Sequence, residues 1–312
     1  MRESRTYRVG LIGARGYVGG ELLRLIGAHP SLELAYACSR SLAGTPIEGT
    51  GLEYIDTSPD AVERRADVVI LALPNGESAP YIDALERANP DALVIDLSAD
   101  RRFDETWVYG LSEHNRESIR RARRISNPGC YATAMHLALR PIIDLVASPP
   151  HCFGVSGYSG AGTSPSDKNN PEIVANNILP YAITEHLHER EVSRHLASPV
   201  RFAPSVGGHF RGIVLTALCA LREPVGTGDL AARYERAYAD RAMVQFEGVG
   251  QVDLRGVVGR NIARVGSISV DERDPRRVGV VCSLDNLLKG AASQAVQNIN
   301  LALGLNETEG LV

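Results

Sequence analysis

The stretch Val9-Gly10-Leu11-Ile12-Gly13-Ala14-Arg15-Gly16-Tyr17-Val18-Gly19 decides the reading of the fold. A short apolar run enters a glycine-rich turn, and a helical pattern through Glu21, Leu22, Leu23 and Ile26 leaves it and stops near Pro30. Where a strand gives way to a helix through bare glycines, backbone amides and the positive end of the helix can hold a pyrophosphate. Gly13, Arg15, Gly16, Tyr17, Val18 and Gly19 are therefore the first candidates for contact with a dinucleotide. The glycines fall as GxxGxxG rather than the commoner GxGxxG, so a purely structural turn is the competing reading at this point.

Further along, a second apolar run spans Leu32 to Ala37, and buried-strand patterns recur at Asp67 to Leu73 and Ala92 to Leu97, with a helical segment at Ala79 to Ala88 between them. Strands alternating with helices predict an α/β fold, a doubly wound parallel sheet of the Rossmann type. After about Pro149 strand-like runs dominate, at Phe153 to Ser156, Ile213 to Leu221, Ala263 to Val270 and Val278 to Ser283, which predicts an α+β second domain. The last long segment, Asn286 to Leu303, carries Leu287, Leu288, Ala291, Ala295, Ile299 and Leu301 at helical spacing and is expected to pack back on the first domain. The expected organisation is a nucleotide-binding domain over 1–149, completed by 286–312, and a substrate and oligomerisation domain over 150–285.

The end of the second strand separates the two nicotinamide cofactors. An NAD site presents Asp or Glu there to the ribose hydroxyls, whereas this chain reads Ala37-Cys38-Ser39-Arg40-Ser41. The hydroxyl of Ser39 and the guanidinium of Arg40 suit a 2′-phosphate and point to NADP, against the plainer reading of Arg40 as a solvated loop charge. Pro74, Asn75 and Gly76, at the carboxyl end of a predicted strand, are placed to line the same crevice.

Bulk properties exclude several classes. The 312 residues are 44% hydrophobic and 22% charged, an ordinary balance for a globular protein of two domains. A formal net charge of −4 provides no basic field for nucleic acid, and the arginine-rich stretch Arg116 to Arg124 reads as a solvated helix face. Five cysteines, with no CxxC and no Cys/His ligand spacing, suggest neither a disulfide framework nor a metal site and fit a reducing compartment. The opening residues Met1 to Arg5 lead directly into a strand-like segment, and no apolar run approaches the ~20 residues that span a bilayer. A cytoplasmic protein without a membrane or nucleic-acid partner is expected.

Ser126-Asn127-Pro128-Gly129-Cys130-Tyr131-Ala132-Thr133 ends one apolar stretch and opens a helix through Met135, Leu137, Leu139 and Ile142. Cys130 thus falls at a helix N-terminus, where amides and the macrodipole favour thiolate over thiol. Pro128 and Gly129 force a sharp approach to it. Cys38, Cys152, Cys219 and Cys282 sit in apolar strands and read as inert. A nucleophilic thiol together with a nicotinamide cofactor implies a thioester that accepts or follows a hydride, the chemistry of aldehyde and acyl-phosphate dehydrogenases.

With these residues in hand the chain resembles the N-acetyl-gamma-glutamyl-phosphate reductase family of the wider aspartate-semialdehyde dehydrogenase group. The matching stretches are Gly13 to Leu25, Leu71 to Gly76, Asp96 to Arg101, Asn127 to Tyr131, Val155 to Gly157 with Ser159 to Gly162, Arg211 to Ile213, and Asp285 to Gly290 continuing to Asn298, in family order over nearly the whole chain. The resemblance implies reduction of N-acetylglutamyl 5-phosphate by NADPH to the 5-semialdehyde in arginine biosynthesis, with Cys130 attacking the acyl phosphate. It implies an acid/base histidine within His186-Leu187-His188-Glu189-Arg190-Glu191, with His186 preferred and His188 in reserve. Spacing alone leaves this open, because histidines two apart share one side of an extended segment but lie nearly opposite on a helix.

The phosphate and the substrate carboxylate need cationic partners, for which Arg101 and Arg211 respectively are the best placed by motif, with Ser98, Asn127 and Glu191 as further substrate or phosphate contacts. Ser159 and Gly160 are expected near the thioester oxygen and cofactor, against the reading of Gly157 to Gly162 as a flexible loop, and the family pattern sets Lys289 and Asn298 toward the nicotinamide, against the reading of both as solvated helix residues. A homo-oligomer, dimer or tetramer, is expected on the same ground. Two departures stand out: Arg190 replaces a proline common in the family, and Pro204 to Phe210 differs from many members, which makes His209 another acid/base candidate. The competing readings are an aminoadipyl-phosphate reductase of lysine synthesis, whose substrate is one methylene longer, an NADP-binding sensor or scaffold, and a cofactor-free cysteine hydrolase.

Overall fold

The computed structural model describes residues 5–63 and 65–312; Met1 to Ser4, expected to lead into the first strand, lie outside the described residues. Contacts divide the chain into two units, one running to Pro128 and resuming at Ala291, the other spanning Gly129–Gly290.

The first unit opens with β1 (Tyr7–Ile12), α1 (Tyr17–Ala28) and β2 (Leu32–Cys38). A small antiparallel ribbon of β3 (Pro46–Ile47) and β4 (Leu52–Glu53) follows. Then come β5 (Val68–Leu71), α2 (Ala79–Ala88), β6 (Leu93–Asp96), β7 (Val108–Tyr109), α3 (Ser112–Ile119) and β8 (Arg124–Ser126). The main sheet has the order β2-β1-β5-β6-β8-β7, and every pair in it is parallel. Every residue of β5 and β6 is buried, which is why both read as unbroken apolar runs. Strand order reverses at β1, with β2 on one side and β5 on the other, so a crevice opens beyond their carboxyl ends. At that point Gly13 has φ +88°, and a Cβ there would lie 2.2 Å from the carbonyl oxygen of Ala72, so only glycine fits.

The C-terminal helix (Ser293–Leu303) packs with α1, α3 and β6. Among its buried polar side chains, Gln294 donates to the Gly110 carbonyl at 3.0 Å and to the Ser112 hydroxyl at 2.8 Å. The arginine-rich stretch differs from expectation. Arg116 pairs with Glu307, and Arg124 donates to the carbonyls of Ala92 and Pro90, leaving Arg120, Arg121 and Arg123 as the exposed members.

The second unit contains α4 (Cys130–Leu139), β9 (His151–Gly157), α5 (Pro171–Val174), β10 (Ile178–Pro180), α6 (Leu187–Leu196), β11 (Arg201–Gly207), β12 (Ile213–Ala220), α7 (Thr227–Tyr238), β13 (Val244–Phe246), β14 (Ala263–Val270) and β15 (Arg277–Leu284). Its seven strands form one mixed sheet of order β10-β11-β9-β12-β15-β14-β13. The boundary expected at Pro149 falls inside this unit, because the apolar side chains of α4 share a core with β9, β12, β14 and β15. Proline ends α4 earlier than the apolar pattern suggested: Pro141 lies in a 3₁₀ turn, Arg140–Leu145, which carries Ile142.

Along β12, Ile213, Leu215, Ala217 and Cys219 point into that core, while Leu218 on the opposite face is 49% exposed. Phe153 of β9, directly adjacent to β12, is 50% exposed on the same open face.

Candidate active site

Cys130 is the first residue of α4, behind an extended Gly129 that makes no side-chain cap. The N-cap residue therefore sets no side chain of its own between the helix dipole and the sulfur. Pro128 and Gly129 do not act alone in aiming it. The carboxylate of Glu191, fully buried on α6, accepts the Gly129 backbone N–H at 3.0 Å. Glu191, expected as a substrate contact, thus grips the turn that carries the thiol. Gly290 also lies close, where an added Cβ would stand 2.8 Å from the Cβ of Cys130. That glycine is part of a matching motif, yet its proximity to the nucleophile is visible only in three dimensions.

The histidine pair resolves through its backbone. His186 is the N-cap of α6, with extended dihedral angles, and its Nδ1 accepts the His188 backbone N–H at 3.1 Å. Because only His188 is helical, the two imidazoles stay on one side, 4.8 Å apart. His186 also meets the rings of Phe202 at 5.2 Å, Tyr181 at 5.6 Å and Tyr131 at 6.4 Å. Burial, and next the charge of Lys168, lower its pKa to about 4 against the opposing pull of Glu191. With Nδ1 accepting a hydrogen bond, the neutral ring carries its proton on Nε2 and offers a donor. Tyr131 lies buried with its hydroxyl donating to the Ser205 carbonyl at 2.7 Å, and burial pushes its pKa and that of Tyr181 well above the ordinary phenol value.

His209 has a different setting. Its Nε2 contacts the Gly212 carbonyl at 3.1 Å, an arrangement that needs Nε2–H as donor and braces a loop. Arg211 is likewise engaged: a terminal nitrogen donates to Asp285 Oδ1 at 3.1 Å and Nε lies 2.6 Å from Oδ2. Fully buried Asp285 also accepts the backbone N–H groups of Gly259 and Leu287. Its neighbour Asn286 accepts from the Gly212 N–H at 2.6 Å and donates to Ser159 at 3.0 Å. Three separated motifs, around Ser159 and Gly160, around Arg211, and at Asp285-Asn286, are thereby tied into one network. Lys289 is fully buried beside them in sequence.

The remaining candidates belong to the first unit. Gly13 to Gly19, Ser39, Arg40, Pro74 to Gly76 and Ser98 to Arg101 follow the carboxyl ends of β1, β2, β5 and β6. Gly16, unlike Gly13, has no packing reason to be glycine, since an added Cβ would meet nothing closer than 4.0 Å. The first turn of α1 has no side-chain cap, as an anion site requires. Arg15 donates to Ser41 at 3.0 Å, while Arg40 is exposed. Ser39 Oγ and Asn298 Oδ1 are buried without a hydrogen-bond partner among the described residues. Such orphaned groups fit a bound nucleotide: the hydroxyl suits the ribose end, and the amide oxygen suits an N–H of a carboxamide.

The loops beyond β5 and β6 are laced together. Asp100 accepts from the backbone N–H of Gly76 and from Ser78, bonds that hold its pKa down although burial pushes it up. Asn75 accepts the Ala99 N–H at 2.9 Å. Ser98 is 2% exposed and donates to Asp96, whose pKa burial raises, so its hydroxyl is already committed. Arg101 pairs with Asp104 at 3.0 Å and lies over Trp107. Asn127 accepts from Asn298 at 3.1 Å and donates to the Ala291 carbonyl.

A parallel sheet with an anion-ready turn, and a separate unit that presents a thiol on the first residue of a helix, next in sequence to Tyr131 of an aromatic and histidine cluster, define a nicotinamide-dependent semialdehyde dehydrogenase. Residues 8–122 match the model of the semialdehyde dehydrogenase NAD binding domain, and residues 130–286 match that of the semialdehyde dehydrogenase dimerisation domain. Within that class the chain belongs to the N-acetyl-gamma-glutamyl-phosphate reductase family. It is 51% identical over 306 residues to the protein of that name from Xanthomonas axonopodis pv. citri, covering 96% of each chain. It is 50% identical to the one from Stenotrophomonas maltophilia, covering 97% of each. The fold is shared with aspartate semialdehyde dehydrogenase II of Vibrio cholerae, solved as a complex with ASA, at a TM-score of 0.79 and 20% identity over 96% of this chain and 99% of that one. Aspartate semialdehyde dehydrogenase of Candida albicans, solved with NADP, gives a TM-score of 0.76 at 15% identity over 96% of this chain and 98% of that one.

Among the described residues no helix is long and apolar enough to cross a membrane.

Proposed function

We propose that this chain catalyses the reaction its family is named for, reducing N-acetylglutamyl 5-phosphate to N-acetylglutamate 5-semialdehyde with release of phosphate, a step of arginine biosynthesis. The observation that carries the reading is the thiol of Cys130 at the start of α4, in the unit that also holds His186. The sulfur attacks the acyl carbon, the C–O bond to phosphate breaks, and a thioester forms on Cys130 while the thiol proton leaves with the phosphate. NADPH, when bound, supplies the hydride. The resulting thiohemiacetal oxyanion takes a hydrogen bond from the Nε2–H of neutral His186 and then collapses, releasing the aldehyde and the Cys130 thiolate, which regains a proton from solvent.

The orphaned Ser39 Oγ and the exposed Arg40 favour NADP at the adenosine end, and the orphaned Asn298 Oδ1 favours a carboxamide at the other. Arg101 is the proposed cation for phosphate, with Ser98 and Asn127 shaping its surroundings. The open sheet face around Phe153 and Leu218 is the proposed contact between two copies in a homodimer. All five cysteines are free thiols, which suits the cytoplasm as the place of action.

Incubating the protein with NADP, phosphate and N-acetylglutamate 5-semialdehyde is expected to raise the absorbance of NADPH, and Cys130→Ser to abolish the rise. Full turnover by that variant would rule out the thioester.

A further inference from the structure

We propose that the ammonium group of Lys168 binds the carboxylate of the acyl-phosphate substrate, the anionic end that takes no part in transfer. The inference rests on Cys130 and His186 forming the reaction centre. Lys168 lies half-buried on the 3₁₀ turn Asp167–Asn169 of the second unit, with Nζ 4.7 Å from the centre of the Tyr181 ring. Tyr181 in turn meets His186, and Cys130 is near enough that, after burial, its negative charge helps to raise the pKa of the Tyr181 phenol. The cation therefore reaches the reaction centre through a short series of ring contacts.

Among the described residues no acidic side chain forms an ion pair with Lys168. An ammonium held over an aromatic face is stabilised there, yet it keeps N–H donors for an anion. Arg211, the carboxylate partner expected from sequence, is in the opposite position, since Asp285 already compensates its charge. The turn under Lys168 is also pinned. The Asn169 side chain donates to the carbonyls of Gly162 and Ser164 at 2.9 and 2.8 Å and accepts the Ser166 N–H at 2.8 Å. After burial, the Lys168 charge is the next cause of the depressed pKa of His186, so its field acts at the centre before any substrate is present.

The reverse reaction separates the two anions, because the semialdehyde carries the carboxylate and phosphate is added on its own. Lys168→Met is expected to raise KM for N-acetylglutamate 5-semialdehyde about tenfold to a hundredfold, the loss of one charged hydrogen bond, with KM for phosphate unchanged. Lys168→Arg, which keeps the charge, is expected to recover most of the affinity. A raised KM for phosphate with an unchanged KM for the semialdehyde, or no change in either, overturns the proposal. Circular dichroism and the alkylation rate of Cys130 report whether each variant is folded, and Lys168→Gln carries the same comparison should the methionine variant not fold. Turnover by Cys130→Ser would instead remove the thioester reading, whatever Lys168 does.

Discussion

The carboxylate of Glu191 accepts the backbone N–H of Gly129, the residue immediately before Cys130, from a position with no solvent exposure. A buried carboxylate at that end of α4 fixes the approach to the thiol, and its charge opposes excess thiolate character. Glu191→Gln keeps an acceptor and is expected to retain a folded protein with a faster-alkylating Cys130. Glu191→Ala leaves the amide unmatched, at a cost of about 1–3 kcal/mol of stability. Urea unfolding and iodoacetamide kinetics on the two variants check this.

Gly290→Ala is expected to lower kcat more than it alters binding of NADPH. The new methyl would press on the Cβ of Cys130 at 2.8 Å and on Leu284 at 3.1 Å, and overpacking of this kind costs about 1–3 kcal/mol. Steady-state kinetics with direct cofactor titration separates the two effects.

Neutral His186 makes the protein sensitive to acid. Its folded pKa of about 4 is below the ordinary 6.5, so on acidification the unfolded chain takes up the proton first. The contribution to stability is complete above about pH 6.5 and is lost as the pH falls through about 4. Denaturant midpoints at pH 7 and pH 5 are expected to differ less in His186→Gln than in the parent protein. An NMR titration of the imidazole with a midpoint near 6.5 would remove the neutral-donor role.

Arg40→Ala is expected to raise KM for NADP about tenfold to a hundredfold while leaving any turnover with NAD unchanged, as loss of a phosphate-bound guanidinium should. Equal loss with both cofactors would assign Arg40 to the surface.

Phe153→Asp combined with Leu218→Asp places charges on two side chains about half exposed on the open sheet face. Light scattering is expected to show monomers for the double variant and dimers for the parent protein.

What the sequence disclosed depends on distance along the chain. The glycine turn, the strand-end Ser39-Arg40 and the helix-opening Cys130 are local patterns, each complete within a few residues, and they read correctly as turn, strand end and helix start. The roles of Glu191, Gly290 and Lys168 arise from packing between remote segments, for which periodicity holds no signal. The His186–His188 geometry was hidden for a subtler reason: the helix begins between them, so neither the strand nor the helix rule for residues two apart applied. Nor does any pattern announce that Asn176, Ala182 and Glu185, flanking Tyr181 and leading into His186, adopt left-handed backbone without being glycine.

Every residue of α4 after Cys130, from Tyr131 to Leu139, is buried. The nucleophile is thus the half-buried tip of a rod whose whole shaft is embedded in the second unit. Substitutions that merely shift that shaft, far from any reactant, will be felt as misdirection of the sulfur before they are felt as unfolding, so catalytic rate in this protein serves as a gauge of core packing.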